Sequence, residues 1–120
     1  NNILVKKIKS EEMKINRVKK NKDFTSIYNN SRKIYTRYTI IFIGKNKNKE
    51  KRFGFVASKK TGNAVKRNRI KRLFKEFVRN NIEKFDSDKD YIFVGKAILK
   101  DNIANLTYKD FEKDLKKGII

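Results

Sequence analysis

Asn63-Ala64-Val65-Lys66-Arg67-Asn68-Arg69-Ile70-Lys71-Arg72-Leu73-Phe74-Lys75-Glu76-Phe77-Val78-Arg79-Asn80-Asn81 is the stretch from which the rest of the chain can be ordered. Ile70, Leu73, Phe74, Phe77 and Val78 recur at i, i+3, i+4, i+7 and i+8, the spacing of one helix face. Thr61-Gly62 makes a turn before it, and Asn63 is placed to accept a hydrogen bond from the free N–H groups of the first helical turn. A helix is predicted from 64 to about 81. On the wheel Asn68, Arg69, Arg72, Lys75 and Arg79 fall on the side away from the apolar stripe, with Lys66 and Arg67 in the first turn. Cations there oppose the helix dipole, and no acid in that turn compensates them. A local rule broken in this way marks a candidate functional surface, and phosphate would relieve the conflict.

Working outward, Tyr38-Thr39-Ile40-Ile41-Phe42-Ile43 and Arg52-Phe53-Gly54-Phe55-Val56-Ala57-Ser58 are β-branched and aromatic and read as strands. Residues 44–51 between them read as a hairpin loop, and 33–37 as a short lead-in strand. Asn21 is a plausible cap for a helix over 22–30, with Phe24, Ile27 and Tyr28 on one face. Residues 86–90 read as a polar loop and Tyr91-Ile92-Phe93-Val94-Gly95 as a buried strand. Thr107-Tyr108-Lys109-Asp110 resembles a capping box, opening a last helix that faces Phe111 and Leu115 inward. The element order is α-β-β-(β)-α-β-α. A strand, helix and strand in one sheet require a crossover. The fold class is therefore α+β, a small and mainly antiparallel sheet with packed helices. Residues 1–14 read as a basic flexible arm and 15–120 as a single domain.

The formal net charge is +20 over 120 residues, and its placement is one-sided. Residues 1–75 carry 24 Lys and Arg against 4 Asp and Glu, whereas residues 76–120 carry 9 of each. Solubilising charge would be spread evenly, so a polyanion partner is expected, nucleic acid before an anionic membrane. No run of about 18 apolar residues occurs, so no membrane-spanning helix is expected. The absence of Cys and His excludes Ser-His-Asp and Cys-His nucleophilic chemistry and thiolate metal sites. Gly62 is not followed by Gly-Lys-Ser/Thr, so no nucleotide P-loop is present. Asp86, Asp88 and Asp90 lack the Gly and distal Glu of a calcium loop. No catalytic constellation is therefore read in the protein. Phe24, Tyr28, Phe42 and Phe55 lie among basic segments, where aromatics either stack on unpaired bases or pack the core. A ribosomal or structural RNA-binding protein and a basic DNA-binding architectural protein both fit these features.

Lys59-Lys60-Thr61-Gly62-Asn63-Ala64-Val65-Lys66-Arg67-Asn68-Arg69-Ile70-Lys71-Arg72-Leu73-Phe74-Lys75-Glu76 resembles the signature of the bacterial ribonuclease P protein family, with its Arg-Asn-Arg core at 67–69. Arg17-Val18-Lys19-Lys20-Asn21-Lys22-Asp23-Phe24, Tyr28 and Arg32 are similar to the family's first-helix region. Tyr91 to Val94 and Leu106-Thr107-Tyr108 fit its last strand and helix. The resemblance covers about residues 15–117. Departures are Tyr28 in place of a common Phe, Lys96-Ala97 in place of a frequent Arg-Pro, and the extension over 1–14. The resemblance implies a left-handed β-α-β crossover and a subunit of an endoribonuclease whose catalytic RNA, with Mg²⁺ held mainly by that RNA, removes the 5′ leader of precursor tRNA. The isolated protein is then inactive, its partners are ribonuclease P RNA and precursor tRNA, and its location is the bacterial cytoplasm. No obligate protein partner and no organic cofactor are implied. Carried over by position, Arg17, Lys59, Lys66, Arg67, Asn68, Arg69, Lys71 and Arg72 face the RNA subunit. Phe24, Tyr28, Phe42, Ser58 and Lys60 line a cleft for the leader.

Overall fold

In the computed structural model, residues 17–18, 21–46 and 50–119 are described. The arm expected over 1–14 lies outside them. Helix α1 spans Asn21–Asn30, and strands β1, β2 and β3 span Arg32–Tyr35, Thr39–Lys45 and Arg52–Val56. Helix α2 spans Ala64–Asn80, β4 Lys89–Gly95, the short α3 Leu99–Asn102, and α4 Tyr108–Ile119. Single 3-10 turns occupy Lys59–Thr61, Ile82–Lys84 and Ile103–Asn105. The side chain of Asn21, expected to cap α1, lies outside the described residues. At α4 the expected capping box forms: Asp110 N–H donates to Thr107 Oγ1 at 3.2 Å, and Thr107 N–H donates to Asp110 Oδ2 at 3.3 Å.

The sheet corrects the sequence reading in one respect. Its order is β1-β2-β4-β3, so β2 and β3 are not hairpin partners. β4 lies between them, antiparallel to β2 and parallel to β3, with Phe42 opposite Ile92 and Phe55 opposite Phe93. The physical reason is burial. Tyr91-Ile92-Phe93 is buried throughout, and a run apolar on both faces belongs in the centre of a sheet. Parallel β3 and β4 are joined through α2, the crossover that the element order demanded.

Helices α2 and α4 cover one face of the sheet and α1 part of the other. The larger core unites Phe53, Phe55, Phe74, Phe77, Phe93, Phe111, Ile70 and Leu115. Burying a Phe contributes roughly 1.5–3 kcal/mol, so this side anchors the domain. The smaller core is Val18, Ile27 and Ile92, with Phe24, Tyr28, Phe42, Val56 and Val94 only partly covered. Asp114 of α4 ties the β1–β2 turn down. It accepts hydrogen bonds from Thr36 Oγ1 at 2.8 Å, Arg37 N–H at 3.0 Å and Tyr38 N–H at 3.1 Å. No helix among the described residues is long and apolar enough to cross a membrane.

Candidate nucleic-acid interface

The approach to α2 is built by its turn residues. Thr61 is buried, and its hydroxyl donates to the Ser58 carbonyl at 2.6 Å. Gly62 follows with φ 121° and ψ −161°, a conformation open in practice only to glycine. Asn63 then caps the helix as expected, its Oδ1 accepting from Lys66 N–H at 3.0 Å. The first turn of α2 holds no acidic residue. Lys59, Lys60, Asn68, Arg69 and Arg72 are exposed, while Lys66, Arg67 and Lys71 are half-buried. Seven of the eight residues expected to face an RNA subunit thus lie on this turn and helix, the eighth being Arg17.

The two flanks of α2 differ, and one corrects the expectation of a wholly free basic face. Lys66 Nζ donates to the Lys100 carbonyl at 2.7 Å. Arg69 Nη2 donates to the Leu106 carbonyl at 2.8 Å and its Nε to the Ile103 carbonyl at 3.4 Å. These cations tie α2 to carbonyls of the short turns over 99–106, Arg69 sharing the Ile103 carbonyl with Leu106 N–H. Arg69 is therefore exposed but partly committed to the fold. Arg67 Nε is shielded with no partner.

The opposite flank faces the sheet edge. Val18 N–H donates to the Phe53 carbonyl at 3.0 Å, which lays Arg17 along β3. The Arg17 guanidinium sits 4.9 Å from the centroid of the Phe55 ring. Burial, then repulsion from Arg17, Arg79 and Lys71, lowers the Lys75 pKa below that of an ordinary lysine. Like charges held together this way are stabilised by a polyanion. Lys75 and Arg79 are not in the set carried over from the family motif, although the helix wheel puts both on the basic face.

The other face of the sheet carries the aromatic cleft. Phe24 and Tyr28, one helical turn apart on α1, have ring centroids 6.2 Å apart, and Tyr28 meets Phe42 of β2 edge-on at 4.6 Å. All three are half-buried, so each packs against the smaller core and still presents surface. Burial raises the Tyr28 phenol above the ordinary tyrosine value. Gly54 makes the close approach of α1 possible, since a Cβ there would stand 2.7 Å from the Phe24 ring. Lys33 holds its ammonium 5.6 Å from the Phe42 centroid. Ser58 and Lys60 are exposed beyond the end of β3, in the segment leading to α2. Among the described residues no hydrogen bond or ring contact joins them to the aromatic trio. Phe55, a stacking candidate by sequence, is buried on the α2 side and belongs to the core.

Beside the first turn of α1 the charge is neutralised. Arg52 binds Asp90 through two 2.8 Å hydrogen bonds, and its Nη1 lies 3.6 Å from Asp23. The hydrogen bond to Asp90 raises the Arg52 pKa further. Asp86 pairs with Lys89 at 2.9 Å. Among the described residues no three Asp, Glu, His or Cys side chains come together as metal ligands.

Comparison with known proteins agrees with this arrangement. The family model described as Ribonuclease P matches residues 13–120. The chain is 50% identical over 103 residues to the ribonuclease P protein component of Fusobacterium nucleatum, covering 86% of this chain and 93% of that one. It is 39% identical over 100 residues to the component from Clostridioides difficile, covering 82% and 84%. The Staphylococcus aureus ribonuclease P protein structure matches with TM-score 0.76 and 32% identity over 87% of this chain and 92% of that one. The protein from Thermotoga maritima shares the fold, with TM-score 0.77 at 23% identity over 84% and 92%. The capped Arg-Asn-Arg helix, the aromatic cleft on the opposite sheet face and these matches place the chain in one family: it belongs to the ribonuclease P proteins.

Proposed function

We infer that this chain is the protein subunit of a bacterial ribonuclease P holoenzyme, binding the catalytic RNA and the 5′ leader of precursor tRNA. The observation that carries this reading is the pairing of two surfaces on one small domain. One is the cation ridge of α2 with Arg17. The other is the half-open trio Phe24, Tyr28 and Phe42. Folded RNA is bound through phosphates, which suits the ridge, and single strands are bound by stacking in a basic groove, which suits the trio. In this reading Mg²⁺ is held by the RNA and supplies the charge needed at the scissile phosphate. The protein's residues bind and position the substrate. Ser58 and Lys60 extend the leader path toward α2, and the chain works in the cytoplasm.

The test is reconstitution with a bacterial ribonuclease P RNA and a precursor tRNA across a Mg²⁺ series. Neutralising phosphates where two polyanions meet lowers the cation concentration their association needs. Cleavage should therefore be stimulated most at low Mg²⁺, and the protein without RNA should cleave nothing. Equal cleavage with and without protein at every Mg²⁺ concentration, or cleavage by RNA-free protein, contradicts the reading.

A further inference from the structure

The sheet face that carries the cleft continues past α1, and its outermost side chain has no role in the reading above. Register places Lys33, Phe42, Ile92 and Gly54 in one row across the four strands, and Tyr35, Ile40, Val94 and Val56 in the next. Ile40, Val94 and Val56 are half-buried, and Tyr35 is 62% exposed. An aromatic this open on an edge strand contributes little to the core, so its position calls for another explanation.

Its ring is held rather than loose. The Lys96 ammonium stands 5.5 Å from the Tyr35 centroid and also donates to the Thr36 carbonyl. The same pairing occurs one row away, where the Lys33 ammonium stands 5.6 Å from the Phe42 centroid. Two aromatic-plus-cation units thus repeat on one sheet face. Phe42 pairs with Lys33 and Tyr35 with Ile40, so the Phe42 and Tyr35 rings are diagonal neighbours across β1 and β2, about 7–8 Å apart at their Cα atoms, a step that one extended nucleotide bridges. A flat ring for the base and an ammonium for the phosphate are what each nucleotide of a single strand needs. We propose that Tyr35, held by Lys96, is a further stacking position for single-stranded RNA, one nucleotide beyond the platform of Phe42.

This site rests on the proposed leader-binding role and lengthens the cleft toward the β1 edge. Charge complementarity selects RNA as the occupant. Lys33 and Lys96 flank the patch, and Arg37 in the turn after β1 is exposed. Tyr35→Ala removes the platform, whereas Tyr35→Phe keeps it.

The experiment measures holoenzyme affinity for precursor tRNAs whose leaders lengthen one nucleotide at a time. Wild type should gain affinity over several steps. Tyr35→Ala should lose the gain of one step, about 5- to 150-fold for one stacked base, with the shorter leaders and the melting temperature unchanged. Tyr35→Phe should restore it. If the wild type shows no leader dependence, the leader-binding reading itself fails. If wild type and Tyr35→Ala follow the same ladder, that reading stands and the Tyr35 site is wrong. Self-association of the wild-type protein that Tyr35→Ala abolishes, with the ladder unaltered, would assign the patch to a second copy of the chain and overturn the proposal.

Discussion

Arg69 and Arg72 lie on the same helix, and both are exposed, yet they stand differently in the fold. Arg69 donates to the Ile103 and Leu106 carbonyls, and Arg72 makes no hydrogen bond among the described residues. Arg69→Ala should therefore lower stability by about 1 kcal/mol, the scale of an exposed charge-assisted hydrogen bond. Arg72→Ala should change stability by less than about 0.5 kcal/mol. Both should weaken binding to the RNA subunit, because each removes a phosphate-pairing cation. Thermal melting beside a filter-binding titration separates the two effects. An unchanged melting point for Arg69→Ala would show that its tether to 99–106 carries no stability. The basic face is legible in the sequence because helical periodicity is local. The tether is not, because it depends on where a segment more than thirty residues downstream comes to rest.

The elements themselves are legible wherever their signals are local: the Asn63 cap, the capping box at Thr107 and the apolar stripe of α2 all form. The neighbour relations are not. A polar stretch between two apolar runs looks the same whether the runs pair directly or admit a third strand between them. The central place goes to β4 because Tyr91-Ile92-Phe93 must be covered on both faces. Gly62 shows how a single backbone position aims an element. Its φ of 121° turns the chain from the 3-10 segment into α2, and a Cβ there would stand 2.6 Å from the Lys66 side chain. Gly62→Ala should cost about 1–3 kcal/mol of stability, from enforced backbone strain. Chemical denaturation checks this, and a loss below about 0.5 kcal/mol would mean that the turn relaxes freely. In the same way Gly54 admits Phe24 to the sheet, so the cleft depends on a missing side chain as much as on the aromatics present.

Across the whole molecule the net-neutral and the net-cationic parts of the sequence make different contributions. Residues 76–120, with 9 basic and 9 acidic side chains, supply the central strand and the helix that back the core. Residues 1–75, with 24 basic and 4 acidic side chains, supply α1, the strands β1, β2 and β3 and the cationic start of α2. This asymmetry makes a polyanion partner legible in the sequence itself. The separation of a ridge from a cleft on opposite sheet faces is legible only in three dimensions, since Phe42 and Phe55 look alike in sequence and face opposite ways.

The claim that this cleft reads a single-stranded leader is tested most directly by one comparison. Holoenzyme assembled with wild-type or Tyr28→Ala protein is titrated against precursor tRNA and mature tRNA, with the protein's melting temperature recorded beside it. Tyr28 touches Phe24 and Phe42 and keeps part of its ring exposed. Losing one stacked base at about 1–3 kcal/mol should weaken precursor tRNA by about 5- to 150-fold. Mature tRNA, which has no leader, should bind as before. An equal loss for both tRNAs, accompanied by a lowered melting temperature, would make Tyr28 a packing residue and contradict the leader site.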